Sequence, residues 1–222
     1  MPEKLPRLQP DGLIAPEVGA WGERKYRLVA NYASMFSTSM KSKWECRVYV
    51  DLFSGSGRAT LEGTSQIVPG SPLLAVSLET SFDEYVFCEQ NKEKIEALRL
   101  RVSREAPDLA PVYINADANK AVDEILAALP QPRKGRKVLA FCFADPYRLG
   151  NLHFATLRRL AERYMDFLVL IPSYMDANRN RVHYVREASR AVECFLGDPE
   201  WRKDTPSDQS SGAKHGSTAR IR

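Results

Sequence analysis

Residues 48–58 read VYVDLFSGSGR, and this stretch decides the fold. The apolar and β-branched residues up to Asp51 predict a buried strand, and Gly55 and Gly57 predict a turn with φ values that other residues avoid. A glycine also lets the backbone approach a ligand closely, because it carries no Cβ. This arrangement is typical of a nucleotide-type site at the carboxyl end of the first strand of an open α/β sheet. For this segment alone, an ordinary strand–turn–helix junction is the alternative.

The next glycine position distinguishes two classes of ligand. A dinucleotide fingerprint reads G-x-G-x-x-G, whereas Thr60 stands at the third glycine position here. S-adenosylmethionine (SAM) has no phosphate and needs only the tight turn and a nearby acid that tolerates its cationic and amino groups. The stretch therefore favours SAM over a dinucleotide. Its cofactor-binding candidates are Asp51, Phe53, Gly55 and Gly57.

Length and composition indicate one sizeable α/β domain. The chain has 222 residues, of which 44% are apolar and 27% charged, as in ordinary globular proteins. The 32 basic and 28 acidic residues give a net charge of +4, which permits a nucleic acid partner without arguing for one. No stretch approaches the roughly 20 apolar residues that cross a bilayer, and residues 1–10 hold no signal-like apolar run. We therefore expect a cytoplasmic protein without a membrane partner.

The cysteines give no sign of a metal site. The four cysteines stand at positions 46, 88, 142 and 194 and form no C-x-x-C pair or Cys/His cluster. This pattern excludes a recognisable zinc site, and we expect no bound metal. Cys88 and Cys142 lie inside apolar runs, which predicts buried, reduced thiols.

The chain divides into three parts. Residues 1–20 are rich in proline and predict an extended arm. Residues 21–202 form the domain, and residues 203–222 are polar enough to be disordered. Within the domain, apolar runs alternate with helical patterns, which predicts a doubly wound, mostly parallel, Rossmann-like sheet. Further strands are predicted at 85–89, 112–117, 138–144 and 166–172, and helices at 21–40, 71–78, 91–104, 118–129, 154–164 and 182–195.

Two helices bear on the predicted site. The helix 21–40 either closes the carboxyl edge of the sheet or is a plain packing helix. After the glycine turn, Gly63 and the prolines near residue 70 predict an irregular connection. Ser71 then serves as the N-cap of the helix 71–78, with Pro72 as its first residue.

Two of the predicted strands end in an acid. Glu89 is placed to accept hydrogen bonds from a ribose diol, an interaction that NAD and SAM sites share. The alternative is an acid that interacts with a helix dipole. Asp117, followed by Asn119, either contacts an adenine amino group or caps the next helix.

The most apolar strand, 138–144, ends in Asp145-Pro146-Tyr147. Such an ending aims a carboxylate and a fixed carbonyl into the crevice where ligands bind, and the aromatic ring offers a flat face to a planar substrate. The group resembles the Asp-Pro-Pro-Tyr motif of amino methyltransferases, although one proline is missing. That resemblance implies that Asp145, Pro146 and Tyr147 are catalytic, holding an amine towards the SAM methyl. A turn that merely ends a strand is the alternative.

The chain resembles the bacterial three-Cys-motif partner family over most of residues 20–202. The matching segments are Trp21 with Lys25-Tyr26, YVDLFSGSG (49–57), GSPL (70–73), FCE (87–89), FADPY (143–147) and FLG (195–197) with Trp201. The resemblance implies a fold like that of class I SAM methyltransferases and a neighbouring cysteine-motif protein as partner. Family members continue well beyond the position of Trp201, so we expect a shortened end here that affects the last strands and the activity.

Three functions follow as hypotheses. The first is a SAM-dependent methyltransferase acting on an amine or ring nitrogen of a nucleic acid or small planar substrate. The second is a partner or scaffold protein that keeps this fold without chemistry. The third is an NAD-dependent oxidoreductase, which Thr60 disfavours.

Overall fold

The computed structural model describes residues 4–19, 21–172, 184, 189–201 and 203. The polar segment 174–181, residues 182–183 and 185–188 of the predicted helix 182–195, and the predicted tail beyond residue 203 lie outside the described residues. Among the described residues, no helix is both long enough and apolar enough to cross a membrane.

The core of the molecule is a five-stranded parallel sheet. Its strands are β2 (Cys46–Asp51), β5 (Glu84–Cys88), β6 (Val112–Ile114), β7 (Val138–Ala144) and β8 (Met165–Val169). They lie in the order β6-β5-β2-β7-β8, which corresponds to five strands of the doubly wound order 3-2-1-4-5-6. The topology therefore confirms the predicted Rossmann-like α/β fold.

Helices cover both faces of this sheet. They are α1 (Trp21–Met40), α2 (Ser71–Val76), α3 (Lys92–Glu105), α4 (Val122–Ala128), α5 (Phe154–Leu160) and α6 (Ala191–Leu196), with a short 3-10 helix at Leu149–Asn151. The first three pack on one face, against Tyr49, Phe87, Phe141 and Phe143, and we call this the aromatic face. The next two pack on the opposite, aliphatic face, which holds Val48, Val50, Cys88, Ala140 and Cys142.

The central strands are buried on both faces. Every residue of β2 and of β7 is buried, which is why both read as continuous apolar runs in the sequence. Cys88 and Cys142 are buried and free, as predicted. Burial raises the pKa of Cys88 to about 12, with a smaller contribution from Glu89.

The connection after the glycine turn is more regular than the sequence predicted. The strands β3 (Arg58–Leu61) and β4 (Ile67–Pro69) form an antiparallel hairpin. The strand β1 (Glu17–Val18) adds to β3 in parallel and completes a small three-stranded sheet. The prediction of an irregular connection was therefore wrong, because Gly63, at φ 72°, closes the hairpin instead of breaking the structure.

The N-terminal segment is tied to the domain by a buried arginine. The guanidinium of Arg101 on α3 is paired with Asp11, with Nε 2.8 Å from Oδ2 and Nη2 2.8 Å from Oδ1. The same guanidinium donates to the carbonyls of Leu13, Ile14 and Ser56. Because the Ser56 carbonyl belongs to the glycine turn, Arg101 links the N-terminal segment to that turn.

Several helix boundaries differ from the predicted ones. Gly70, not Ser71, is the N-cap of α2, and Ser71 is its first residue. The prediction that Ser71 caps this helix was therefore wrong, because its hydroxyl bonds to a buried carboxylate instead. The helix predicted from residue 118 begins only at Val122, since residues before it form turns around Asp117.

Candidate active site at the carboxyl edge of the sheet

The candidate residues gather where β2 ends. β2 lies between β5 and β7, and Asp51 is in register with Phe87 on one side and Phe143 on the other. Glu89 and Asp145 follow these two neighbours along the chain by two residues each. The parallel topology therefore brings Asp51, Glu89 and Asp145 to one edge, with Asp117 one strand further out, beyond β6.

Asp51 lies beneath the site. It is fully buried, with 0% of its surface exposed. Its Oδ2 accepts hydrogen bonds from Ser71 Oγ at 2.7 Å and Tyr49 Oη at 3.4 Å, and its Oδ1 accepts from Phe53 N at 3.1 Å. Burial raises the pKa of Asp51 to about 7, which these hydrogen bonds oppose and the charge of Asp145 supports. The contacts of Asp51 are therefore to Ser71, Tyr49 and the Phe53 backbone.

The two glycines of the turn differ in the space around them. Gly55 has φ 62°, and no heavy atom lies within 4 Å of where its Cβ would stand. Gly57 has φ 82°, and a Cβ there would lie 2.8 Å from Leu98 Cδ1 and 3.1 Å from Leu73 Cγ. The positive φ values predicted for both glycines are therefore confirmed. At position 57 a side chain would also meet α2 and α3, whereas position 55 is open.

Glu89 cross-links the turn to the start of α3. Its Oε2 accepts a hydrogen bond from Gly55 N at 3.1 Å, and its Oε1 accepts one from Asn91 N at 2.8 Å. Asn91 is itself the N-cap of α3, since its side chain accepts from Lys94 N. The half-exposed carboxylate thus shapes the turn and also sits close to a helix N-terminus, whose dipole favours a negative charge.

Asp117 and Phe53 are two further candidate residues. Asp117 is half-buried, and its Oδ1 accepts from Asn119 N at 2.9 Å, as in a turn before a helix. Asn119 in turn accepts from His153 N and Thr156 Oγ1 at 2.9 and 2.8 Å, so it connects the loops after β6 and β7. Phe53 is half-buried and packs against the aliphatic face.

Asp145 is held by a lysine from α1. The Lys25 Nζ lies 2.5 Å from Asp145 Oδ2, and the two side chains are 20% and 25% exposed. Pro146 is buried, whereas Tyr147 is 82% exposed. The guanidinium of Arg148 lies 5.8 Å from the centre of the Tyr147 ring. The motif therefore combines an ion-paired, partly exposed carboxylate with an exposed aromatic ring.

An open cleft of about 430 Å³ lies beside this edge, and of the predicted site residues only Tyr147 lines it. Its lining residues are Gln90, Lys94, Tyr147, Arg148 and Asn151. It thus joins the loop after β5 to the loop after β7. Sequence reasoning identified only Tyr147 of these residues, and the only signal for Gln90 and Arg148 was their position next to predicted site residues.

The basic loop 133–137 lies away from the site. It directly precedes β7, so it is at the amino edge of the sheet, opposite the cleft. Arg136 pairs with Glu84 at 2.9 Å, and Lys137 Nζ donates to the Lys43 carbonyl at 2.7 Å. These cations are therefore not part of the candidate site.

Comparisons with known proteins were made by sequence and by structure. No protein-family model matches the chain, and no curated protein matches it significantly. A crystal structure of a DUF519 protein from Legionella pneumophila is similar at 15% identity, with a TM-score of 0.48 and coverage of 65% of this chain and 67% of that one. The candidate methyltransferase yhhF from Escherichia coli is similar at 19% identity, with a TM-score of 0.43 and coverage of 74% and 72%. The bifunctional kinase-methyltransferase WbdD is similar at 16% identity and a TM-score of 0.38, over 64% of this chain and 28% of that one.

Proposed function

We propose that this protein is a SAM-dependent methyltransferase of the three-Cys-motif partner type, and that its acceptor atom is an amine or ring nitrogen. The observation that carries the proposal is the juxtaposition of Asp51 and Asp145 at the ends of two hydrogen-bonded strands. One of these strands continues into the glycine turn and the other into the Asp-Pro-Tyr motif. A cofactor site and an acceptor site would therefore share one crevice.

The cofactor half would be formed by the glycine turn and the loops after β5 and β6. Gly55 leaves open space above the turn, and Glu89 is fixed beside it. We propose that Glu89 binds the ribose hydroxyls and Asp117 the adenine amine, with Phe53 and Gly57 shaping the pocket from below. The acidic groups suit a ligand with a sulfonium and an amino group. When bound, SAM supplies an electrophilic methyl group.

The acceptor half would be formed by the end of β7. Pro146 fixes the backbone after Asp145, so the carboxylate and the adjacent carbonyl keep a constant relation to each other. Together they would accept hydrogen bonds from an acceptor amine and direct its lone pair towards the methyl group. Positioning of this kind supplies a large part of the rate in such transfers. The exposed Tyr147 ring would stack on a planar acceptor.

Exposed aromatic residues with nearby arginines favour a nucleic acid as acceptor. Arg148 lies over Tyr147 on one side of Asp145. On the other side, Arg24 lies 5.2 Å from the centre of the exposed Trp21 ring, one helical turn before Lys25. Aromatic faces that stack on bases beside cations that contact phosphates are typical of single-stranded nucleic acid sites. A base within a duplex would first have to leave its stack.

Calorimetric titration with SAM tests the cofactor half directly. We expect SAM to bind the wild type with micromolar affinity. In Glu89→Ala the affinity should fall at least about tenfold, because the variant loses both the hydrogen bond to the glycine turn and the proposed contact with the ribose. Glu93→Ala, an exposed acid of α3, is the matched control and should bind like the wild type. A folded wild type that binds no SAM would refute the proposal.

A non-catalytic partner protein is the second candidate, and α1 carries the observation that favours it. Its residues Trp21, Leu28, Tyr32 and Met35 are all exposed large hydrophobics. Trp21, Leu28 and Met35 are spaced seven residues apart, which places them on one side of the helix. Such a stripe suits a protein partner, for which the family resemblance suggests a cysteine-motif protein. Co-purification that Leu28→Asp abolishes, with no methyl transfer to nucleic acid or protein, would favour this candidate.

A further inference from the structure

Lys25 contacts the carboxylate that the proposed function assigns to the acceptor. We propose that the Lys25 ammonium occupies, in the ligand-free protein, the position that the acceptor amine takes at Asp145. The acceptor would then have to displace this lysine of α1 in order to bind. The inference rests on the proposed function, and it makes Lys25 a residue that selects among acceptors.

The geometry of the pair supports this role. The Nζ–Oδ2 distance of 2.5 Å places the ammonium in direct contact with the carboxylate. Hydrogen bonds between charged partners are shorter and stronger than neutral ones. No other hydrogen bond to the Asp145 carboxylate occurs among the described residues. Lys25 is therefore the group that an incoming donor would meet at this carboxylate.

The chemistry of the two donors is the same. An ammonium group only donates hydrogen bonds, and an ionised carboxylate only accepts them. The Asp-Pro-aromatic motif would use the same carboxylate oxygens to accept from an acceptor N–H. Lys25 therefore imitates the acceptor and competes with it for the same atoms.

The surroundings explain why a cation stands here while no acceptor is bound. Asp145 lies close enough to the buried Asp51 for its charge to affect that carboxyl group. The charges of both carboxylates also reach the half-buried Tyr26, whose pKa is raised mainly by desolvation. Two carboxyl groups this close repel each other when both are ionised. The ammonium of Lys25 offsets this repulsion until another donor arrives.

Lys25 is also able to leave. Its side chain is 20% exposed, and a lysine carries its charge on a flexible four-carbon stem. Its Nζ already lies 5.0 Å from the centre of the Tyr26 ring, so a cation–π contact is within reach when Asp145 is released. The exchange therefore needs a side-chain rotation and no movement of α1.

Competition by Lys25 would make the site selective. When a binding-competent state is only a fraction of the population, the apparent affinity falls by that fraction. A small free amine, with only one contact to offer, would bind poorly. An acceptor that also stacks on Tyr147 would displace Lys25. The lysine thus favours planar acceptors with additional contacts over simple amines.

Two SAM analogues test this inference without knowledge of the acceptor. S-adenosylhomocysteine lacks the methyl group, whereas sinefungin carries an amino group where the methyl would be. In the wild type, the sinefungin amine and Lys25 would compete for Asp145. We expect Lys25→Met to raise the ratio of the S-adenosylhomocysteine Kd to the sinefungin Kd about fivefold, measured by calorimetry. Lys25→Gln is the second variant, should the first not fold.

Lys41→Met is the matched control, since Lys41 is an exposed lysine directly after α1, and its ratio should equal that of the wild type. A ratio in the Lys25 variants that stays within about twofold of the wild type, or that falls, overturns the inference while leaving the proposed function intact. Binding of neither analogue to the folded wild type overturns the proposed function and this inference with it.

Discussion

The ends of β2 and β7 carry the same residue type in two different environments. Asp51, at the end of β2, is fully buried and bonded to neutral partners. Asp145, directly after β7, is partly exposed and paired with the ammonium of Lys25. Burial raises the pKa of Asp51 to about 7. The same residue type is therefore buried and hydrogen-bonded at the end of β2, and partly exposed and ion-paired after β7.

The difference follows from what covers each strand end. The start of α2 lies over the end of β2, where Ser71 contributes a neutral hydroxyl. The second turn of α1 lies over the end of β7 and contributes Lys25. Because the charge of Asp145 raises the pKa of Asp51, a change at Asp145 should be felt at Asp51.

The largest expected effect is loss of methyl transfer in Asp145→Ala. We expect turnover to fall at least about 100-fold, since the acceptor amine loses its hydrogen-bond partner, while SAM affinity stays within about threefold. The measurement is transfer from radiolabelled SAM to total nucleic acid, alongside calorimetry. Asp166→Ala, an exposed acid on β8, is the matched control. Equal losses of turnover and SAM affinity would contradict the proposal that Asp145 binds the acceptor and not the cofactor.

The next effect concerns stability and pH at Asp51. Its pKa is raised from 3.8 to about 7 by burial, so the folded protein keeps a proton that the unfolded chain has released. Stability from this group is therefore fully present below about pH 4 and is lost as the pH rises through about 7. The slope of the unfolding free energy is about 1.4 kcal/mol per pH unit within this window, which corresponds to about 3 to 6 °C in Tm per pH unit.

Asp51→Asn removes the titration while keeping the shape of the side chain. We expect the Tm of the variant to fall less steeply than that of the wild type between about pH 5 and pH 7. Thermal melts followed by circular dichroism over this range supply the comparison. Parallel curves for the two proteins would mean that Asp51 titrates normally and that the contrast with Asp145 is only one of position.

Most of the main sheet could be predicted from the sequence. β2 and β7 are buried on both faces, so each reads as an apolar run, and the strand–helix alternation indicated a parallel, doubly wound sheet. The hairpin β3–β4 and its partner β1 were missed, because three short strands leave little periodicity. The docking of the N-terminal segment was missed as well, since it depends on a contact between Asp11 and Arg101, 90 residues apart.

The sequence predicted those candidate residues that directly follow a strand. Glu89 and Asp145 were identified because the carboxyl ends of parallel strands meet at one edge. Lys25 was noted only as part of a resemblance, because its partner lies 120 residues away. The burial of Asp51 was not visible either, since it depends on how α2 covers the end of β2.

The smallest expected effect comes from removing the Ser71 hydroxyl, the neutral partner of Asp51. Ser71→Ala removes the hydroxyl that donates to Asp51 Oδ2 at 2.7 Å, and a buried bond of this kind contributes about 1 kcal/mol. Because this bond lowers the pKa of Asp51, its loss should also move the steep part of the Tm–pH curve upwards. Ser65→Ala, at an exposed position of the β3–β4 turn, is the control for both measurements. If Ser71→Ala lowers the Tm equally at every pH, the hydroxyl stabilises the fold without affecting the pKa of Asp51. The raised pKa of Asp51 would then be due to burial alone.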